Sequence, residues 1–179
     1  MSEPKLLLNH SQIQLIVKRL TLQLLENHGD FSQTAIVGIQ PRGIAFASKI
    51  LKSLSELAPE ISFKYGELDH TFFRDDVGRG EIMIPKPSNI QFSTEKLRIV
   101  LIDDVLYTGR SIRASIDALM RFGRPSQIEL MVLVNRKFQR ELPIDPNYSG
   151  TSIDSRNTGG YVRVDWTENN EKVWLLNEK

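Results

Sequence analysis

The chain has 179 residues, 40% of them apolar, enough for one sizeable core in a single domain spanning residues 1–179. With 23 Lys and Arg against 22 Asp and Glu, the net charge of +1 excludes a chain-wide electrostatic case for nucleic acid or acidic membranes. The absence of cysteine excludes disulfides, thiolate metal sites and a Cys nucleophile; no apolar run approaches the ~20 residues of a membrane span, so the expectation is a soluble cytoplasmic protein.

From Ser11 to His28, the residues Ile13, Ile16, Val17, Leu20, Leu24 and Leu25 recur at helical spacing. Ser11 is the expected N-cap and Gly29 the stop. The short apolar run Ala35–Ile39 predicts a strand, leading through Gln40-Pro41-Arg42-Gly43 into a helix over Ile44–Leu57. Ile61–Leu68 reads as a further strand, and the polar, proline-containing stretch after it, about residues 72–92, as a long loop. Leu97–Ile102 has the pattern of a buried strand; Asp103-Asp104 follow it, then a helix over Ser111–Phe122. Gly123 and Pro125 end that helix, and Ile128–Val134 supplies another apolar strand. Beyond Arg136 the chain returns to loop chemistry, then to a hairpin of Tyr161–Trp166 with Lys172–Leu176. Strands alternating with helices predict an α/β fold with a mainly parallel twisted sheet flanked by helices, capped by the C-terminal part, residues 140–179.

Val100-Leu-Ile-Asp103-Asp104-Val105-Leu106-Tyr107-Thr108-Gly109-Arg110-Ser111 joins a buried strand, two adjacent carboxylates and a hydroxyl-and-glycine turn opening a helix. Successive backbone N–H groups and the Thr108 and Ser111 hydroxyls can cradle a phosphate at the positive end of the helix dipole. Gly109 permits positive φ or close approach of an anion. Vicinal carboxylates at the carboxyl end of a parallel strand suit two neighbouring ribose hydroxyls. As an isolated pair, Asp103-Asp104 could equally cap the next helix. No histidine spacing suits zinc, and a carboxylate-associated Mg²⁺ stays open.

The whole constellation resembles the signature that binds phosphoribosyl pyrophosphate (PRPP) in type I phosphoribosyltransferases. Three further segments, Val37-Gly-Ile-Gln-Pro-Arg42-Gly43, Gly66-Glu-Leu-Asp69-His-Thr71-Phe-Phe-Arg74-Asp75-Asp76 and Arg140-Glu-Leu-Pro-Ile144, are similar in order and spacing to the PyrR family. That family couples regulation of pyrimidine operons to uracil phosphoribosyltransferase activity. The resemblance runs from Leu6 to Leu176.

It implies a type I phosphoribosyltransferase fold with a small hood and Mg²⁺ as cofactor. Uracil and PRPP would be converted to UMP and pyrophosphate in pyrimidine salvage. Gln40, Pro41, Arg42 and Gly43 would form the pyrophosphate loop, although Pro41 stands where a small polar residue is expected; it removes an N–H and could favour a cis Gln40–Pro41 bond. Asp103, Asp104, Val105, Leu106, Tyr107, Thr108, Gly109, Arg110 and Ser111 would bind the rest of PRPP, the two aspartates meeting Mg²⁺ only through it. Arg42, Arg74 and Asp104 are the expected catalytic residues, with Arg74, Asp75 and Asp76 carried on a closing loop. Asp69 could hold a Mg²⁺-bound water or orient Arg74. Arg136 and Val162 would meet the base. Relatives acting on 6-oxopurines usually carry aspartate just before the threonine of the turn; Tyr107 here counts against purines. The resemblance also implies a homo-oligomer and, as a second function, UMP-dependent binding of an mRNA leader. Leu22, Asn27 and Asp145 depart from the polar or basic residues expected for RNA, while Lys18, Arg19, Arg113, Arg136, Lys137 and Arg140 could still assemble a basic patch.

Overall fold

The computed structural model describes residues 4–75, 84–154, 156 and 160–176. In chain order the regular elements are β1 (Lys5–Leu8), α1 (His10–His28), β2 (Thr34–Ile39), α2 (Arg42–Leu57), β3 (Lys64–Leu68), β4 (Arg98–Leu106), α3 (Arg110–Leu119), β5 (Gln127–Lys137), β6 (Tyr148–Asp154), β7 (Tyr161–Asp165) and β8 (Lys172–Leu176). Short 3₁₀ turns occupy Thr71–Phe73 and Met120–Phe122.

The main sheet has the order β3-β2-β4-β5-β6, and every pairing in it is parallel. Strand alternation divides its apolar residues between two faces. Ile36, Val100, Ile102, Met131 and Leu133 pack in one cluster with Ile13, Leu20 and Leu24 of α1 and Phe46 and Ile50 of α2. Ala35, Val37, Ile99, Leu101, Leu130 and Val132 pack in the other with Ile112, Ala118 and Leu119 of α3. Helices thus cover both faces, as expected from the near-continuous apolar strands.

Helix α1 begins two residues earlier than the sequence suggests. Its N-cap is Asn9, in place of the expected Ser11: the Asn9 side chain accepts from the Gln12 N–H at 3.0 Å, and the Gln12 side-chain oxygen accepts from the Asn9 N–H at 2.9 Å. That reciprocal pair satisfies two donors together, which an isolated serine cannot do. Gly29, at φ 56°, ends the helix as expected.

The hairpin of β7 with β8 forms where the sequence predicts it, but its sheet has a third member. β1 pairs antiparallel with β8, giving the order β1-β8-β7. The cap is therefore built from both ends of the described chain. Conversely, residues 148–154, expected within the cap, form the edge strand of the main sheet, parallel to β5. An edge strand covered on one side needs little apolar content, and Tyr148-Ser-Gly-Thr-Ser-Ile-Asp154 has little.

The loop expected over 72–92 includes Asp76 and the rest of 76–83, which lie outside the described residues. Around them, Thr71–Phe73 forms its 3₁₀ turn, and Asn89 makes an antiparallel bridge with Glu67 of β3.

Candidate functional site

The parallel strands β2, β3 and β4 all deliver their carboxyl ends to one side of the sheet, where open α/β folds place ligands. A cavity of about 500 Å³ lies there. Gln40, Pro41 and Arg42 enter it from the β2–α2 connection, Asp103, Asp104 and Val105 from β4, and Tyr107 and Ser111 from the turn into α3. Arg74 reaches it from the segment after β3, and Arg136, Tyr161 and Val162 close it from β5 and the smaller sheet. Residues separated widely in sequence are thus brought together as expected.

Asp103 and Asp104 are 9% and 4% exposed. The Asp103 carboxylate accepts the Asp104 N–H at 2.9 Å, whereas Asp104 Oδ2 is buried without a hydrogen-bond partner among the described residues. Burial, joined by the charge of Asp104, pushes the Asp103 carboxyl well above its ordinary value, with Arg42 opposing. Burial raises Asp104 as well, again against the charge of Arg42. A buried acceptor without a donor is costly, so the few that occur call for an explanation.

The turn before α3 has the expected backbone form. Gly109 caps the helix at φ 93°, where L side chains are strained. Ser111 Oγ accepts from Arg74 at 2.9 Å, which anchors that arginine beside the turn. The glycine of the other connection works differently: a Cβ on Gly43 would stand 2.3 Å from the Ile102 carbonyl oxygen, so Gly43 lets α2 approach β4 and contributes no cavity lining. The Gln40–Pro41 peptide bond is cis, as considered from the sequence.

Several expected site residues stand elsewhere. The Arg110 side chain pairs with Asp75 at 2.7 Å and with Glu141, outside the cavity lining. Leu106 is buried in the apolar cluster under α3. Thr108 and Gly109 belong to the turn without lining the cavity, although Thr108 Oγ1 accepts from the Arg110 N–H at 3.4 Å. Asp69 lines the cavity, but its carboxylate accepts from the Thr71 N–H at 3.0 Å and the Thr71 hydroxyl at 3.1 Å, shaping the start of the 3₁₀ turn.

Arg136 and Tyr107 stack in the cavity wall. Arg136 is 2% exposed, donates to the Gly160 carbonyl at 3.0 Å, and lies with its guanidinium carbon 4.0 Å from the centroid of the Tyr107 ring. Val162 is buried beside it on β7. Tyr161, expected with Val162 and Arg163 in the hood that reads the base edge through its backbone, also lines the space, as do His70, Thr71, Ile84 and Lys86, without roles assigned from sequence. For His70 and Thr71 the available signal was position, just past the carboxyl end of a parallel strand.

Among the described residues no three carboxylates or histidines gather as a metal cage. A Mg²⁺ ion fits only in the manner usual for it, near one or two carboxylates and completed by substrate oxygens. Asp103 and Asp104, with the unpartnered Oδ2, provide such a pair.

The phosphoribosyl transferase domain family matches residues 5–169. The bifunctional protein PyrR of Endomicrobium trichonymphae is 40% identical, over 89% of this chain and 96% of its own length. The bifunctional protein PyrR of Bacillus cereus strain B4264 is 35% identical, over 96% of both chains. Among solved structures, the hypoxanthine phosphoribosyltransferase of Trypanosoma cruzi superposes with a TM-score of 0.72 at 13% identity, covering 97% of each chain. That of Staphylococcus aureus gives 0.66 at 24% identity, covering 88% of this chain and 82% of its own. At such identities the two enzymes share the fold.

Proposed function

The chain belongs to the PyrR family of phosphoribosyltransferases and has the type I fold, and from that premise we propose that it is a uracil phosphoribosyltransferase converting uracil and PRPP to UMP and pyrophosphate. The observation that carries this reading is the buried Asp104 carboxylate, its Oδ2 without a hydrogen-bond partner among the described residues, in a cavity shared with Arg42, Ser111 and the Arg136–Tyr107 stack. The single catalytic domain of the reading is supported by the family match over residues 5–169.

Asp103 and Asp104 accept the ribose hydroxyls of PRPP, one of them supplying the donor that Asp104 Oδ2 lacks. The turn 107–111 holds the 5-phosphate through its amides and the Ser111 hydroxyl. Gln40, Pro41 and Arg42 face the pyrophosphate, where the Arg42 guanidinium donates charge-assisted hydrogen bonds to the departing group. Mg²⁺ bound with PRPP would add positive charge against the leaving pyrophosphate. As C1 gains oxocarbenium-like character, the base nitrogen held by Arg136 and Val162 attacks from the opposite face. Arg74, held at the cavity by Ser111, adds a second guanidinium toward the departing pyrophosphate.

Uracil is favoured over purines because Tyr107 offers no carboxylate to a purine ring nitrogen. Purified protein supplied with PRPP, Mg²⁺ and one base at a time (uracil, orotate, hypoxanthine, guanine) should release pyrophosphate with uracil alone. Turnover of a purine would overturn the base assignment, and no turnover with any base would overturn the enzymatic one.

A second role, UMP-dependent binding of an mRNA leader by a homo-oligomer in the cytoplasm, is the regulatory half of the same reading. The word bifunctional in the relatives' names favours it. Of the candidate basic residues, Lys18 and Lys137 are exposed, whereas Arg136 is buried and Arg19 donates to the Ser149 and Gly150 carbonyls. A real RNA site would lose affinity steeply with salt, with a log–log slope of roughly −0.7 per phosphate contact. Binding indifferent to salt and UMP would count against it.

A further inference from the structure

Arg140 stands in the loop after β5 and reads from sequence as a surface cation. Its side chain does something else. Nε donates to the Ile144 carbonyl at 2.9 Å, closing the loop on itself. Nη1 donates to the Arg136 carbonyl at 2.9 Å, to the Leu106 carbonyl at 3.4 Å and to the Tyr107 carbonyl. Nη2 donates to the Asn135 side-chain oxygen. One guanidinium therefore ties the end of β5 to the end of β4 at the point where β4 becomes the turn.

The next residue extends the clamp: the Glu141 N–H donates to the Thr108 carbonyl at 3.0 Å, and the Glu141 carboxylate pairs with Arg110. Carbonyls of three consecutive turn residues, Leu106, Tyr107 and Thr108, are thus drawn to the 140–141 side. In a trans peptide the N–H points opposite the C=O. Fixing those carbonyls therefore fixes the N–H groups of Tyr107, Thr108 and Gly109 in the other direction, away from Arg140. Leu142 and Ile144 lie beneath Gly109, within 3.5 Å of where its Cβ would be.

We infer that Arg140 is a positioning residue for the anion-binding turn, setting the direction of the amides that receive the 5-phosphate of PRPP. It acts through the Leu106 and Tyr107 carbonyls, with the neighbouring Glu141 N–H holding that of Thr108, and does not touch substrate; each of its three nitrogens donates within the protein. The inference rests on the proposed PRPP site. Lysine cannot replace it, because a single ammonium lacks the planar fork that reaches Ile144, Tyr107 and Asn135 at once.

The test compares wild type with Arg140→Lys and Arg140→Gln in three readouts: PRPP binding by calorimetry, amide hydrogen exchange of residues 107–111, and thermal unfolding. Exchange needs no ligand and so reads Arg140 even if PRPP proves not to bind. Expected for Arg140→Lys is a rise in PRPP Kd of about 100-fold, the scale of a misplaced binding geometry. Exchange should quicken in the turn while α1 amides stay unchanged. Low millimolar guanidinium should restore part of the PRPP affinity of Arg140→Gln. Unchanged turn exchange, or PRPP affinity within twofold of wild type in a folded variant, would overturn the inference. If wild type itself binds no PRPP while turn exchange responds to Arg140, the proposed function fails and the positioning of the turn stands.

Discussion

The Arg136 guanidinium carbon lies 4.0 Å from the centroid of the Tyr107 ring, inside the cavity wall that faces Val162. Such a stack is worth about 0.5 to 2 kcal/mol, more when desolvated, and here the cation is 2% exposed. It joins the end of β5 to the turn after β4, so the wall carrying Arg136 and the turn proposed to hold phosphate are mechanically linked. Arg136→Lys, which keeps the charge but loses the planar face, should raise the uracil KM about tenfold while leaving the PRPP KM near wild type. Tyr107→Phe should retain the stack and Tyr107→Ala should lose it. Steady-state kinetics with each substrate varied in turn decides the matter; a normal uracil KM in Tyr107→Ala would remove the stack from base binding.

Asp104→Asn should cost activity and add stability. The amide loses the charge facing the substrate and one acceptor, so kcat/KM for PRPP should fall by about 100-fold, the size of losing a preorganised electrostatic contact. Burial raises the Asp104 carboxyl above its ordinary 3.8 in the folded chain. A raised acid stabilises the fold at low pH and loses that contribution as pH rises through the folded value. The free Asp104→Asn protein should therefore melt at higher temperature than wild type at pH 7, with the gap closing toward pH 4. A lower melting temperature at pH 7, without substrate or divalent ion, would contradict the burial argument.

Much of this site was readable because its chemistry lies in contiguous stretches. The run Val100–Ser111 carries strand, carboxylates, turn and helix start in one piece, and apolar content with turn residues was enough to place them. The cavity's composition followed from a topological rule, the shared carboxyl ends of β2, β3 and β4. What escaped was set by long-range pairing. β6 has few apolar residues because it is an edge strand, and β1 takes its meaning from a partner over 160 residues away, at Val173–Leu175. Side-chain direction escaped for the same reason. Arg110 and Arg140 look alike in sequence, yet one faces Asp75 and Glu141 and the other faces backbone carbonyls.

At the amino ends of the strands, opposite the cavity, His28, Glu129 and Tyr148 form a buried polar group joined by the partly exposed Arg98. Tyr148 donates to Glu129 at 2.6 Å, Arg98 donates to it at 2.7 Å, and His28 lies 3.3 Å from it. Burial lowers the His28 pKa below 6.5, although Glu129 pulls the other way. A lowered histidine favours folding at high pH and loses that contribution as pH falls through its folded value. The difference in melting temperature between wild type and His28→Gln should therefore shrink from pH 7 to pH 5. A constant difference across that range would mean that His28 titrates alike in the folded and unfolded chain, against the burial argument. Tyr148→Phe, which strips a donor from Glu129, should cost about 1 to 3 kcal/mol in denaturant unfolding at pH 7.

The smaller sheet is held to the helices by Glu171, whose side chain is fully buried and pairs with Lys49 of α2 and His10 of α1. Burial alone would raise this carboxyl, but hydrogen bonds from Lys49, its own backbone and His10 bring it down to about 2. A depressed acid stabilises the fold above its ordinary 4.5 and loses that contribution as pH falls toward 2. Removing the main partner should thus be worse than removing the charge. Lys49→Met leaves a buried carboxylate with His10 alone and should cost about 3 kcal/mol at pH 7, whereas Glu171→Gln should cost less. Since β7 carries Tyr161 and Val162 into the cavity, Lys49→Met should also speed amide exchange in β7 and β8 before α3 is affected. Equal costs for the two substitutions, with exchange in β7 unchanged, would show that Glu171 does not tether the sheet that closes the cavity.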